Sequence, residues 1–311
     1  MISRRNIRVK VMQTLYTIAS SETGDNETLK SKGRDILEDK LSRSLDLFVI
    51  SILYTLRVAE YAEKDARVRA AKYLPTEEDL KVNTKISGNE FLWRVKENQT
   101  FIEKVKESKL EHFIDDDQIK KIYQRLVKAK EYIAYAEEPS RESKKEVNII
   151  KFIWDKLIYG DEDMQEFFTD ELSGWDDDKQ MTSMLMDNFF KSSHKVNFLN
   201  LISAEKKEYS ISLLETVIDK EAYSMELIQP KLINWDAERV ALIDLLLLRM
   251  GVAELLYFPT IPTKVTINEY IEIAKLYSTP QSGQFINGVL DNTLKDLLKE
   301  NKINKEERNR K

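Results

Sequence analysis

The stretch VALIDLLLLRMGVAELLYF, residues 240–258, is the longest apolar run in the chain. Its length would suit a membrane span. Asp244, Arg249 and Glu254 nevertheless fall inside it at intervals of five, and ionised groups at that depth are costly in lipid. It is read instead as a helix buried at the centre of a core. A chain of 311 residues, 42% of them hydrophobic, has enough material to enclose such a helix, in one large domain or two ordinary ones. Eight glycines and six prolines against 33% charged residues leave too little turn material for an all-β fold. The expectation is an all-α, compact helical bundle. There is no cysteine, which excludes disulfides and thiolate metal sites and fits a reducing compartment. Lys10, Gln13 and Thr14 interrupt any signal-peptide run in the first twenty residues, so a cytoplasmic location is expected.

Three blocks follow from the pattern. In residues 3–20, Ile7, Val11, Leu15 and Ile18 repeat as one stripe of an amphipathic helix. Arg5, Arg8, Met12 and Tyr16 fall together on its flank at 100° per residue. SSETGDNETLKSKG then reads as a polar loop. The middle block, about 34–205, is a series of helical segments separated by acidic joints such as Asp115–Asp117 and Trp175–Lys179, which read as helix starts or solvated faces. The last block, 206–298, holds the apolar run and further short helices. Thr266 and Glu269 are spaced as a capping box before one of them. Leu172–Lys179 and Leu232–Arg239 share a Trp-Asp pattern sixty residues apart, which suggests a duplicated helical hairpin.

Most chemistry is excluded by spacing. SGQFINGVL, residues 282–290, carries two glycines but no lysine after the second, so it is no phosphate loop. Ile286, Val289, Leu290, Thr293 and Leu297 make it the start of a C-terminal helix, marked by Pro280 and Ser282. Phe285 sits at the border of that stripe, and Gly288 opposite it, where close packing is one reason for a glycine. His112 and His194 are the only histidines, and neither belongs to a metal motif. No metal, no cofactor and no catalytic residue is predicted; nothing supports an enzyme.

The charge distribution is more informative. The formal net charge is −5, yet residues 1–10 carry four basic groups and no acid, and residues 299–311 carry six basic against three acidic groups. Basic ends are attached to an acidic middle. SRRNIRVK at the amino terminus could neutralise several phosphates, and cations at a helix start are otherwise unfavourable to the dipole.

Three segments, taken in order, carry a resemblance: RRNIRVKVMQTLY (4–16), NWDAERVALIDLLLLRMGVAELLY (234–257) and IPTKVTINEYIEIAKLYSTPQSGQFINGVLD (261–291). Together they resemble the NusB family of bacterial transcription antitermination factors, the last segment most specifically. With SISLLETVIDKEAYSMELIQPKL the resemblance covers residues 1–20 and 206–298. Residues 34–205 look like the long insertion of Bacteroidetes-type members, and 299–311 form a basic tail. The resemblance implies two small helical subdomains. It further implies pairing with ribosomal protein NusE, binding of single-stranded boxA-type RNA of ribosomal RNA transcripts, and indirect action on the RNA polymerase elongation complex, with no membrane partner.

The residues it implies for RNA are Arg4, Arg5, Arg8, Lys10 and Tyr16, together with Ser282, Gln284 and Phe285. Gln284 stands where many relatives have a basic residue, and Asn6 replaces a common arginine. Asp244 and Gln281 fall on positions that face NusE, the second without its acid. A homodimer is another available state, since relatives of other lineages pair in a way that hides the RNA face. Two readings stay open beside this one. The acidic insertion could bind a basic protein partner, or the chain could serve as RNA-binding subunit to a separate RNA methyltransferase, having no glycine-rich cofactor domain of its own.

Overall fold

A computed structural model describes residues 2–21, 24–192, 196–232 and 240–306. Among these, fifteen α-helices and no strand are found, as the composition requires. The first ten are α1 (Arg4–Ser21), α2 (Asn26–Ala70), α3 (Glu77–Leu80), α4 (Glu90–Lys96), α5 (Gln99–Glu107), α6 (Asp116–Leu126), α7 (Lys130–Glu137), α8 (Ser143–Phe152), α9 (Glu162–Glu171) and α10 (Trp175–Ser192). They are followed by α11 (Ala204–Asp219), α12 (Glu221–Ile228), α13 (Leu242–Tyr257), α14 (Thr263–Tyr277) and α15 (Ser282–Lys299). No helix of the described residues is long and apolar enough to cross a membrane. Trp235 and most of the second Trp-Asp pattern, His194 and residues 307–311 lie outside the described residues.

The chain divides into two compact units, Ser42–Leu201 and Ile2–Leu41 with Ile202 onward, and the division falls within α2. In Ser42–Leu201 the acidic and amide joints are helix starts: Asn89, Asn98, Asp115 and Asp161 each accept hydrogen bonds from first-turn N–H groups of the helix that follows. Its core is aromatic, with Phe48, Phe91, Phe189 and Phe198 in edge-to-face or stacked contact and Phe168 against Trp175. A short π-helical turn, Ile153–Ile158, continues α8.

In the other unit α13 is the central helix, packed against α1, α11, α12, α14 and α15. Every residue from Leu246 to Leu255 is buried, which is why the helix shows no amphipathic stripe. Gly251 lets α15 approach: a Cβ there would lie 2.9 Å from the Leu290 side chain.

Three expectations are corrected. The loop expected over residues 20–33 is mostly helix, since α2 begins at Asn26, with Asp25 Oδ1 accepting from Thr28 N–H at 2.9 Å. Gly33, inside α2, serves close approach: a Cβ would meet Ile18 at 3.0 Å and Leu214 at 3.1 Å. Thr266 and Glu269 form no capping box, because α14 already starts at Thr263 and both side chains point to other helices. Gly288 is not a packing glycine, for nothing lies within 4 Å of a Cβ placed on it.

Candidate nucleic-acid interface

One of the amino-terminal cations, Arg8, meets a carboxylate that sits wholly inside the core. Glu254, on α13, accepts from Arg8 Nε and Nη2, each at 2.8 Å. It also accepts from the hydroxyls of Tyr209 at 2.7 Å, Thr266 at 2.8 Å and Tyr270 at 3.2 Å. Arg8 itself is 2% exposed. Burial opposes the charge on both partners, yet the paired hydrogen bonds and their mutual attraction prevail, so the Arg8 guanidinium is held more firmly protonated and the Glu254 carboxyl stays below its usual range. Burial pushes the Tyr209 and Tyr270 hydroxyls up, and both remain donors. The clamp ties α1 to α11, α13 and α14. From the carboxy-terminal side, Lys305 donates to the carbonyls of Glu254 and Phe258, each at 2.8 Å, closing the end of α13. Burial brings the Lys305 ammonium down to about 8, against the attraction of Glu254.

The remaining candidate residues fall into exposed and buried groups. Arg5 lies at the surface and is held by Glu269 of α14, its Nε and Nη2 donating at 2.9 and 2.8 Å. That hydrogen bond is the main reason the Arg5 pKa rises and the Glu269 pKa falls. Arg4 is half-buried, pairs with Glu205 at 2.5 Å and stands over the Tyr209 ring at 5.6 Å. Tyr16 is 44% exposed. Lys10 is buried, its ammonium donating to Gln13 at 3.2 Å. The helical register that set Arg5, Arg8, Met12 and Tyr16 on one flank is present, but its middle residues Arg8 and Met12 are buried, leaving Arg5 and Tyr16 outside.

At the start of α15, Gln281 and Gln284 are exposed. Phe285, expected at the border of the apolar stripe, is 5% exposed and belongs to the core. Ser282 is the first residue of α15 rather than its cap. Its buried hydroxyl donates to Asp244 Oδ2 at 2.7 Å and accepts from Thr279 N–H at 3.2 Å. Asp244 Oδ1 is buried without a hydrogen-bond partner among the described residues.

Arg5 and Arg8 reach α14 at Glu269, Gly283 lies against Lys275 of the same helix, and the Ser282 hydroxyl is hydrogen-bonded to that of Ser278, the residue that follows the last turn of α14. Six residues of α14 separate Glu269 from Lys275, roughly 9 Å along a helix. The residues that sequence reasoning missed are Glu254, Glu269, Tyr209, Tyr270 and Lys305. For Glu254 a signal existed, since a carboxylate inside an apolar run requires a buried donor.

A family model described as the NusB family matches residues 164–295. The transcription antitermination protein NusB of Salinibacter ruber is 51% identical over 80 residues, covering 26% of this chain and 50% of the relative. That of Listeria monocytogenes is 43% identical over 93 residues, covering 30% of this chain and 73% of the relative, and that of Listeria innocua gives the same figures. The chain belongs to the NusB family. The stretch that the NusB model matches begins in α9, ahead of residue 206, where the sequence pattern sets the return of the NusB-like core. No solved structure matches the chain.

Proposed function

We propose that the protein is an RNA-binding transcription antitermination factor that pairs with ribosomal protein NusE and holds boxA-type single-stranded RNA of ribosomal RNA transcripts, acting on the RNA polymerase elongation complex through them. The observation that carries this reading is the division of labour along α1. Arg8 is spent on the interior carboxylate, while Arg4, Arg5 and Tyr16 stand at or near the surface of the same helix, positioned by that clamp. Cations held in place lose little freedom on meeting a phosphate, and an exposed aromatic ring about 16 Å further along the same helix offers a surface for an unpaired base. Exposed Gln284 on α15 and Gln281 just before it extend the face, the first toward RNA and the second toward NusE, with buried Asp244 behind them through Ser282. Lys10, Ser282 and Phe285 support the proposed face from beneath it. No catalytic step is part of the proposal.

Because Arg4 and Arg5 already carry carboxylate partners, fewer counterions are released than four free cations would give. Fluorescence anisotropy of a boxA-like RNA, with and without NusE, at two salt concentrations tests this. Arg4→Ala with Arg5→Ala should lower affinity and reduce the salt slope by about 1 to 2. An unchanged affinity and slope would sink the RNA reading.

A further inference from the structure

Within the unit Ser42–Leu201, two adjoining depressions share Glu90 and Arg94 at the start of α4. One, of about 440 Å³, is walled by Gly88, Trp93 and Arg141. The other, of about 300 Å³, is walled by Phe91, Ser143, Glu146, Val147, Phe190 and Lys191. Trp93 is 52% exposed, whereas Trp154 and Trp175 are buried. Its indole N–H donates to Glu97 at 2.8 Å, which fixes the ring, and the Lys96 ammonium lies 5.4 Å from the ring centroid.

The charges around this cleft are unequal in availability. Glu146 is buried, with its oxygens engaged by the Tyr135 hydroxyl and the Glu90 N–H, each at 2.8 Å, and by Arg141 at 3.4 Å. Arg141 is fixed by the carbonyls of Gly88 at 2.6 Å and Lys85 at 3.2 Å and is ion-paired with the buried Glu146. Glu90 is the exposed carboxylate of the lining and forms a long ion pair with Arg94 at 3.6 Å. Lys191 makes no ion pair among the described residues. Three cations therefore stand against two carboxylates, Glu90 and the buried Glu146, which leaves one net positive charge, carried by Lys191, beside a half-exposed indole and apolar Phe91, Val147 and Phe190.

A ligand that uses all of this is anionic and flat on one side. An acidic peptide would satisfy the cations and leave the indole uncovered. A nucleotide supplies a phosphate for the cations and a π-face for the indole, and single-stranded RNA supplies several in a row. We propose that this cleft is a second contact for single-stranded RNA, in which Trp93 stacks a base and Arg94, Arg141 and Lys191 receive the adjoining phosphates.

The full chain carrying Trp235→Phe, Arg4→Ala and Arg5→Ala isolates this site from the α1 face and leaves Trp93 as the exposed emitter among the described tryptophans. Titration with octauridylate should quench its fluorescence saturably. Trp93→Ala, followed by anisotropy of labelled octauridylate, should weaken binding roughly tenfold. Arg94→Glu with Lys191→Glu should reduce the salt slope by about 2. The proposal is overturned if octauridylate leaves Trp93 emission unchanged, or if Trp93→Ala binds as tightly as its parent while keeping the same thermal midpoint. Octaglutamate quenching equally well would assign the cleft to an acidic protein, and uridine monophosphate binding as tightly as octauridylate would assign it to a free nucleotide. Loss of boxA binding in the Arg4/Arg5 pair alone bears on the α1 face and leaves these outcomes readable.

Discussion

Arg8 and Glu254 are 246 positions apart in sequence and share two hydrogen bonds in the core. Replacing such a pair by hydrophobic residues can be neutral, whereas removing one partner strands a buried charge at about 3 to 5 kcal/mol. Arg8→Ala should therefore lower the urea-unfolding free energy by that order, far more than Arg5→Ala at the surface, where about 0 to 1 kcal/mol is expected. The pH dependence has a definite sign. Glu254 and Glu269 both have folded pKa values below the usual 4.5, so their contribution is complete above that value and is lost as pH falls through the lower folded values. The urea midpoint should fall steadily from pH 5 to pH 3, and Glu254→Gln, less stable at pH 7, should show a shallower fall. A parallel fall would refute the assignment.

At the scale of the element, α13 and α15 put two glycines to opposite use. In α15, Gly288 faces open space, so Gly288→Ala should stabilise by about 1 kcal/mol through helix propensity. In α13, Gly251 meets the fully buried Leu290, and Gly251→Ala should destabilise by about 1 to 3 kcal/mol through overpacking. Thermal midpoints moving in opposite directions check both. Sequence alone could not separate the two. Gly288 stands opposite an apolar stripe and Gly251 inside an apolar run, yet what a Cβ meets at Gly251 depends on a neighbour about forty residues away. The capping-box spacing of Thr266 and Glu269 misled in a similar way. T-x-x-E at a helix start and T-x-x-E inside a helix are the same letters, and here the hydroxyl goes to Glu254 and the carboxylate to Arg5.

Across the whole molecule, each of the two units has its own buried core. Loss of the Arg8–Glu254 clamp should be felt in one of them. Hydrogen exchange read by mass spectrometry should show faster exchange in α1, α13 and α14 of Glu254→Gln, with α9 and α10 protected as before; equal acceleration everywhere would mean that the chain opens as one unit. The sequence by itself determined the all-α class, the central position of α13, the acidic helix starts of the middle block and the family, because periodicity, capping and composition act over a few residues and are written locally. Only the tertiary structure decided which amino-terminal cations remain outside. Ion pairs depend on distance in space and are indifferent to distance along the chain, so the partners that draw Arg8 inward and hold Arg5 at the surface, 246 and 261–264 positions away, leave no mark near SRRNIRVK.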